Sequence, residues 1–597
     1  MLALLARRKS RGASVDRNKY EKYQSDIIVD LLQQYDIKHI SMNPGASFRG
    51  LHDSVINYGA NDPELMVCQH EEIAVQIAHG YARATGKPMG VILHNLVGML
   101  HAQMAVYYAY IDRAPIFIMG ATGPMHEGKR RPHIDWSHSA LVQGESMRNY
   151  TKWDYQPHAI EGVPESFMRA YSTMVTEPAG PIYMCYDAWL QEEKLSREDL
   201  GMPPANMQKA PAPMGADPDT LGAMADVILD AKHPVILVDF IGRQPGNFEK
   251  LVTLAETLGC GVWDINNSLA FPNQHPLCIS LDHESLKNAD VILGIDVRDW
   301  EKPTHKLIST TREVTSHVPE ACIWMEIGFA ELEMSAWAFD YGRYQPKQHV
   351  ALGDPRLAMP ELTKIAQTKL GKNKALVSAR DARARVFSDR HRQIFADWKA
   401  AAEAKRGSDP ISYAELTLIT WDVIKDQDWV LATGTAREWV RKLWNFDKPY
   451  RHAGRSLGTS TQIGMSLGVG LAYRGTDKLV LNFQPDGDLM YDAGALWTAA
   501  KHEIPILIIM CNNRAYYNDW EHQERMAHLR GTDVEKAHIG MDIFDPEPDF
   551  ATLAKSMGMY GEGAITEPSE IAEALRRAIA VVKSGKPALV DVVLAYR

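Results

Sequence analysis

The chain has 597 residues, too many for one ordinary core, so several domains are expected. Its composition, 45% apolar and 23% charged, is that of a globular enzyme, and no apolar run reaches the ~20 residues that cross a bilayer. A formal charge of −11 leaves no excess of Lys and Arg to neutralise phosphates, which argues against a nucleic-acid partner.

Residues 1–24 read as an N-terminal arm, with Arg7, Arg8, Lys9 and Arg11 and no acid before Asp16. A basic, acid-poor opening over 1–15 is also what an organellar transit segment looks like, the alternative to a cytoplasmic chain with a basic tail. The first block, 25–195, alternates helical patterns at 26–35 and 71–85 with short apolar strands at 37–42, 89–93, 114–119 and 180–185. Such alternation predicts a parallel sheet covered on both faces. Residues 201–217, rich in Pro, Gly and Ala, read as an exposed linker.

The second block, 218–370, repeats the pattern with helices at 219–231 and 247–258 and strands at 234–239 and 291–295. A highly charged stretch at 378–406 predicts a solvated connector helix. The third block, 408–597, places strands at 429–432, 479–483, 505–511 and 587–593 around helices at 461–473 and 493–502. The expected fold class is α/β, with three doubly wound domains built on parallel sheets. Six scattered cysteines without CxxC pairs read as reduced core thiols, as in a cytoplasm-like compartment.

The sharpest chemistry lies at 483–519, FQPDGDLMYDAGALWTAAKHEIPILIIMCNNRAYYND. One predicted strand ends at Asp486-Gly487 and the next at Asn512-Asn513, so both polar clusters fall at carboxyl ends of parallel strands, where open α/β sheets bind ligands. A carboxylate and an amide oxygen suit a hard cation such as Mg²⁺ that keeps phosphate oxygens as further ligands. Gly487 lets the backbone approach a phosphate, and the following helix N-terminus favours an anion. In the first block, CQHEEIAVQIAHGYARATGKP (68–88) puts Ile73, Ala74, Ile77, Ala78 and Tyr81 at helical spacing, with Glu71 at the helix mouth.

These stretches resemble the thiamine-diphosphate-dependent enzymes of the acetolactate synthase and benzoylformate decarboxylase group. Residues 483–519 resemble the GDG…NN motif, with Asn513 standing 27 positions after Asp486. The resemblance implies that Asp486, Asn513 and the carbonyl of Ala515 hold Mg²⁺, with Gly487, Asp488 and Tyr516 beside the cofactor. Pro485 replaces the usual first Gly, and Asp488 stands where a small residue usually sits. Its carboxylate must turn from the phosphates or approach the metal. The 68–88 stretch resembles the HE…GYARATG signature, which makes Glu71 the acid that hydrogen-bonds the aminopyrimidine so that the ylide can form. Asn43, Pro44 and Gly45 resemble the NPG turn near the cofactor ring, and Ile463 in TQIGMSLGVGLA (461–472) falls where a large apolar residue wedges between the cofactor rings.

ILHNLVG (92–98) is similar to the strand-end segment of benzoylformate decarboxylase, which makes His94 the acid–base candidate, beside Asn95. Ala46 replaces that enzyme's serine, and Ser47 is expected to point elsewhere. Tyr516, Tyr517, Trp520 and His522 are expected near the pocket mouth, so Ala46, Asn95, Tyr517 and Trp520 line the substrate pocket in this reading. The flavin loop of acetolactate synthases is missing from 270–294, so FAD is not expected.

The activity implied is decarboxylation or carboligation of a 2-oxo acid by ylide addition and an enamine. The alternatives are an acetolactate-synthase-like carboligase, a lyase for 2-hydroxyacyl or 1,2-diketone compounds, and a silent cofactor-binding subunit. A Rossmann-type NAD enzyme ranks last, because no GxGxxG opens after a predicted strand. The family pattern also implies a homodimer or homotetramer with active sites between subunits, a small-molecule carbonyl substrate, and neither nucleic acid nor membrane as partner.

Overall fold

A computed structural model describes residues 21–596 except 197–199, 266–267, 330–331, 333–336, 339–343 and 372. The basic opening at 1–15 lies outside the described residues. Two compact units form: one from the described residues up to Ala82 with Lys87–Pro211, the other from Arg83–Gly86 with Ala212–Arg597.

The first unit is built on strands β1 (His39–Met42), β2 (Glu64–Val67), β3 (Met89–Leu93), β4 (Ile116–Thr122), β5 (Trp153–Tyr155) and β6 (Ile182–Asp187), in the order β2-β1-β3-β4-β6-β5. Every pairing is parallel. Parallel strands are hidden on both faces, which is why β3, β4 and β6 are buried throughout and read as unbroken apolar runs. The helix Glu71–Thr85 follows β2 and buries Ile73, Ala74, Ile77 and Ala78 of the stripe that its periodicity predicts, while Tyr81 is half-buried.

The second unit holds two further parallel sheets. One combines β7 (Pro234–Val238), β8 (Gly261–Asp264), β9 (Val291–Ile295), β12 (Ile323–Gly328) and β13 (His349–Leu352), with β10 (His305–Ile308) and β11 (Glu313–Ser316) as a separate antiparallel pair. The other combines β14 (Trp429–Leu431), β15 (Leu479–Pro485), β16 (Leu507–Asn512), β17 (Tyr560–Ile565) and β18 (Ala588–Val593), in the order β14-β15-β16-β18-β17. All six cysteines are free and buried. No helix among the described residues is long and apolar enough to cross a membrane.

The charged connector is largely solvated, as expected, but carries a narrow buried stripe. The helix Lys374–Glu403 buries Arg383, Phe387, His391 and Ile394, a stripe at spacings of four, four and three. So narrow a stripe is hidden in the sequence by the charges around it. Arg383 donates through Nε to the carbonyl of Leu258 (3.1 Å) and through Nη1 to those of Leu229 (3.2 Å) and Ala231 (2.7 Å). These carbonyls end the helices Asn247–Leu258 and Pro218–Asp230, so one guanidinium caps two helix C-termini. Arg383→Met is expected to destabilise the second unit by roughly 2–4 kcal/mol, because buried carbonyls lose charged donors. Denaturant unfolding of the variant measures this. A loss below about 0.5 kcal/mol would show that the caps are redundant.

Candidate active site

In the first unit, β1 runs into Asn43-Pro44-Gly45, and the Asn43 amide donates to the carbonyl of Cys68 at 3.0 Å, tying the turn to the end of β2. A Cβ on Gly45 would lie 2.3 Å from Cγ of His94, so only glycine lets this turn pass the imidazole. His94 ends β3 and is the residue before the helix Asn95–Ile111. Burial holds its pKa below the usual histidine value, and nearby His138 adds to the effect.

Ser47 does not point elsewhere. It is buried, and its hydroxyl lies 2.8 Å from Nδ1 of His94, while Ala46 is exposed. The turn Ala46–Phe48 is 3₁₀, in which successive side chains step by about 120° instead of alternating by about 180° as in the strand before it. That rotation brings the hydroxyl one position later onto the imidazole.

Glu71 is the first residue of its helix and is buried, where the helix dipole favours a carboxylate. Its Oε2 lies 3.1 Å from Nδ1 of His101, whose ring stacks on His70 at 4.9 Å. A Cβ on Gly98 would come within 2.9 Å of Oε1, so glycine at that point makes room for the carboxylate.

In the second unit, β15 and β16 are parallel neighbours with Pro485 opposite Cys511, which sets Asp486 and Asn513 at adjacent strand ends. Asp486 accepts from the backbone N–H of Gly487 (2.8 Å) and of Arg514 (2.6 Å), and Asn513 Oδ1 accepts from that of Ala515 (3.2 Å). Burial pushes the Asp486 carboxyl up to about 6, despite those N–H donors. Among the described residues, no cationic side chain pairs with it.

Pro485 leaves this geometry intact, since it simply extends β15. Asp488 commits Oδ1 to the N–H of Ser460 (2.9 Å) and Oδ2 to the amide of Gln484 (2.9 Å). Its carboxylate is thus tied to the turn before the helix Thr461–Ala472. The ring of Tyr516 packs where a Cβ on Gly487 would stand, 2.5 Å from Cε1.

A cavity of about 420 Å³ opens over these strand ends, bordered by Asp486, Asp488, Asn513, Ala515, Tyr516 and Tyr517. That volume falls within the roughly 300–1,000 Å³ of small-molecule sites.

Two family descriptions match the chain: the thiamine pyrophosphate enzyme N-terminal TPP-binding domain over residues 24–141, and the C-terminal TPP-binding domain over 432–592. The chain belongs to the thiamine pyrophosphate enzymes. Among curated relatives it is 21% identical to acetolactate synthase 3 of Brassica napus, over 96% of this chain and 84% of that one. It is 22% identical to the acetolactate synthase isozyme 3 large subunit of Escherichia coli K12, over 95% and 94%. Its fold is that of a thiamin diphosphate-dependent enzyme from Mycobacterium smegmatis, described as putative (TM-score 0.74, 19% identity, 96% and 100% covered). The benzoylformate decarboxylase of Polynucleobacter necessarius shares it too (TM-score 0.74, 18% identity, 96% and 99% covered).

For a thiamine pyrophosphate enzyme, the residues at the β15 and β16 ends fit the cofactor's needs. Asp486, Asn513 and the Ala515 carbonyl offer only hard oxygens, and among the described residues the buried carboxylate has no cationic side chain as counter-charge.

Sequence reasoning missed two contributors. Gln462 lines the cavity and donates to Asn482 Oδ1 at 3.0 Å, whereas Ile463 beside it is fully buried and is not part of the lining. Arg437 also borders the cavity, its guanidinium over the rings of Tyr413 (5.2 Å) and Tyr517 (5.9 Å). It lies in a run of left-handed backbone, Ala436, Arg437 and Glu438 at φ 45°, 54° and 68°. Such strain clusters at functional sites. Its sequence trace is Gly434, three positions after β14 ends. Trp520 packs on Tyr596 at 4.9 Å and does not line the cavity, contrary to its expected place at the pocket mouth.

Proposed function

We propose that this thiamine pyrophosphate enzyme is a Mg²⁺-dependent decarboxylase and carboligase acting on a 2-oxo acid. The observation that carries the reading is the pair Asp486 and Asn513, set on neighbouring strand ends around a ligand-sized cavity. Residues 25–195 serve as the pyrimidine-binding domain, 218–370 as a middle domain and 408–597 as the diphosphate- and metal-binding domain.

Thiamine diphosphate, when bound, supplies an electron sink for making or breaking a bond next to a carbonyl. Asp486, Asn513 and the Ala515 carbonyl would hold Mg²⁺, and Gly487 and Tyr516 would lie beside the diphosphate. Glu71 would face the cofactor's aminopyrimidine and hold or move a proton at its carboxylate, in a buried position where that carboxylate is held by His101. His94 gives and takes a proton at a ring nitrogen. Asn43, Pro44 and Gly45 shape the floor under that imidazole. The active assembly in this reading is a homodimer or homotetramer with its sites between subunits.

The test is CO₂ release from a panel of aliphatic and aromatic 2-oxo acids. Release should require both thiamine diphosphate and Mg²⁺, with an aldehyde or acyloin as co-product. Cofactor-dependent cleavage of a 2-hydroxyacyl or 1,2-diketone compound without CO₂ would replace this reading with a lyase.

A further inference from the structure

The Ser47–His94 pair carries information about which nitrogen of the imidazole is at work. The backbone N–H of Asn95 donates to Ser47 Oγ at 3.2 Å, so the hydroxyl oxygen is already an acceptor. Its proton remains to be given. Among the described residues, the acceptor within reach is Nδ1 of His94 at 2.8 Å. Ser47 is 1% exposed, so water does not compete for that proton. The imidazole cannot swing away over the turn, because the backbone at Gly45 already lies against it.

We propose that Ser47 is a positioning residue that holds His94 as the Nε2–H tautomer, leaving Nε2 as the nitrogen that meets the substrate. In a neutral imidazole one nitrogen accepts and the other carries the proton. A hydroxyl donating to Nδ1 therefore places the proton on Nε2. The ring then presents a hydrogen-bond donor to the substrate's carbonyl oxygen while uncharged, a role that a neutral histidine fills well in a site that suppresses its protonation. Asn95 supports this from the backbone. Its φ of 21° is unusual for a residue with a side chain, and its N–H is the one that engages Ser47. No feature of the sequence pattern required a hydroxyl here.

The proposal rests on the reading of His94 as the group that meets the substrate, and its test separates the two. Histidine ¹⁵N-labelled holoenzyme is compared as wild type, Ser47→Ala and Ser47→Thr by long-range ¹H–¹⁵N correlation at alkaline pH, with His94→Gln to assign the signal. Wild type and Ser47→Thr should show His94 protonated on Nε2, and Ser47→Ala a mixture of tautomers. In steady-state kinetics Ser47→Ala should lose about tenfold in kcat with KM changed less than about twofold, and Ser47→Thr should recover most of the loss. A pure Nε2–H tautomer in Ser47→Ala overturns the proposal, and so does a mixed tautomer with wild-type kcat. The spectra need no turnover, so a failure of the decarboxylase reading would leave the tautomer result standing.

Discussion

Glu71→Gln is expected to lower kcat by roughly 1,000-fold while leaving cofactor affinity within about threefold of wild type. The amide is isosteric, so it fits the space that Gly98 leaves and keeps a contact with His101. What it loses is the ability to take a proton. Glu71 sits buried at a helix N-terminus, with its carboxylate within reach of Nδ1 of His101. Proton transfer by one positioned group contributes about 10²–10⁴-fold, and in the proposed reaction an early step depends on it. Steady-state kinetics, with calorimetric titration of thiamine diphosphate, would measure both quantities. Retention of more than about a tenth of the activity would remove Glu71 from the proton path. A collapse of cofactor affinity instead would make it a binding residue.

Asp486→Asn is expected to weaken Mg²⁺-dependent binding of thiamine diphosphate by roughly 100-fold or more. A hard divalent cation needs the anionic oxygen, and Asn513 Oδ1 with a carbonyl supplies no charge. The ligand-free variant should be at least as thermally stable as wild type. The sign follows from burial, which raises the folded-state pKa of Asp486 to about 6, above its unfolded value. Above the unfolded pKa the ionised carboxylate therefore opposes folding, and the neutral amide removes that opposition. Thermal unfolding with and without cofactor plus Mg²⁺ checks both points. Wild type should gain stability on addition of both ligands, as binding to the folded state requires, and the variant should gain little. An equal gain in the variant would show that the metal is held elsewhere.

The parts of the fold that could be read in advance share one property: their signal is local and periodic. Glu71–Thr85, Met89–Leu93 and Asn247–Leu258 begin and end where the apolar spacing says, because one face of each is buried and its neighbours in sequence carry that face. Asp486 and Asn513 could be placed together because neighbouring parallel strands joined by a helical crossover must end on the same side of their sheet. The buried stripe of the otherwise solvated connector helix is not legible in the sequence, because it is narrow and one member is an arginine, a residue whose burial depends on carbonyls over a hundred positions away.

By itself, the sequence determined the succession of parallel α/β sheets, the position of the carboxylate at a helix mouth, and the strand ends that carry Asp486 and Asn513. These follow from short-range spacing and from the chirality of parallel connections. Only the tertiary structure decided which way single side chains turn. It put Ser47 rather than Ala46 toward the imidazole, through the rotation of one 3₁₀ turn. It tied Asp488 to Ser460 and Gln484. It placed Gln462 and Arg437 on the cavity and drew Trp520 onto Tyr596. Each of those outcomes depends on atoms brought together from distant parts of the chain, where a single-residue rotation exchanges one neighbour for another and leaves no periodic trace.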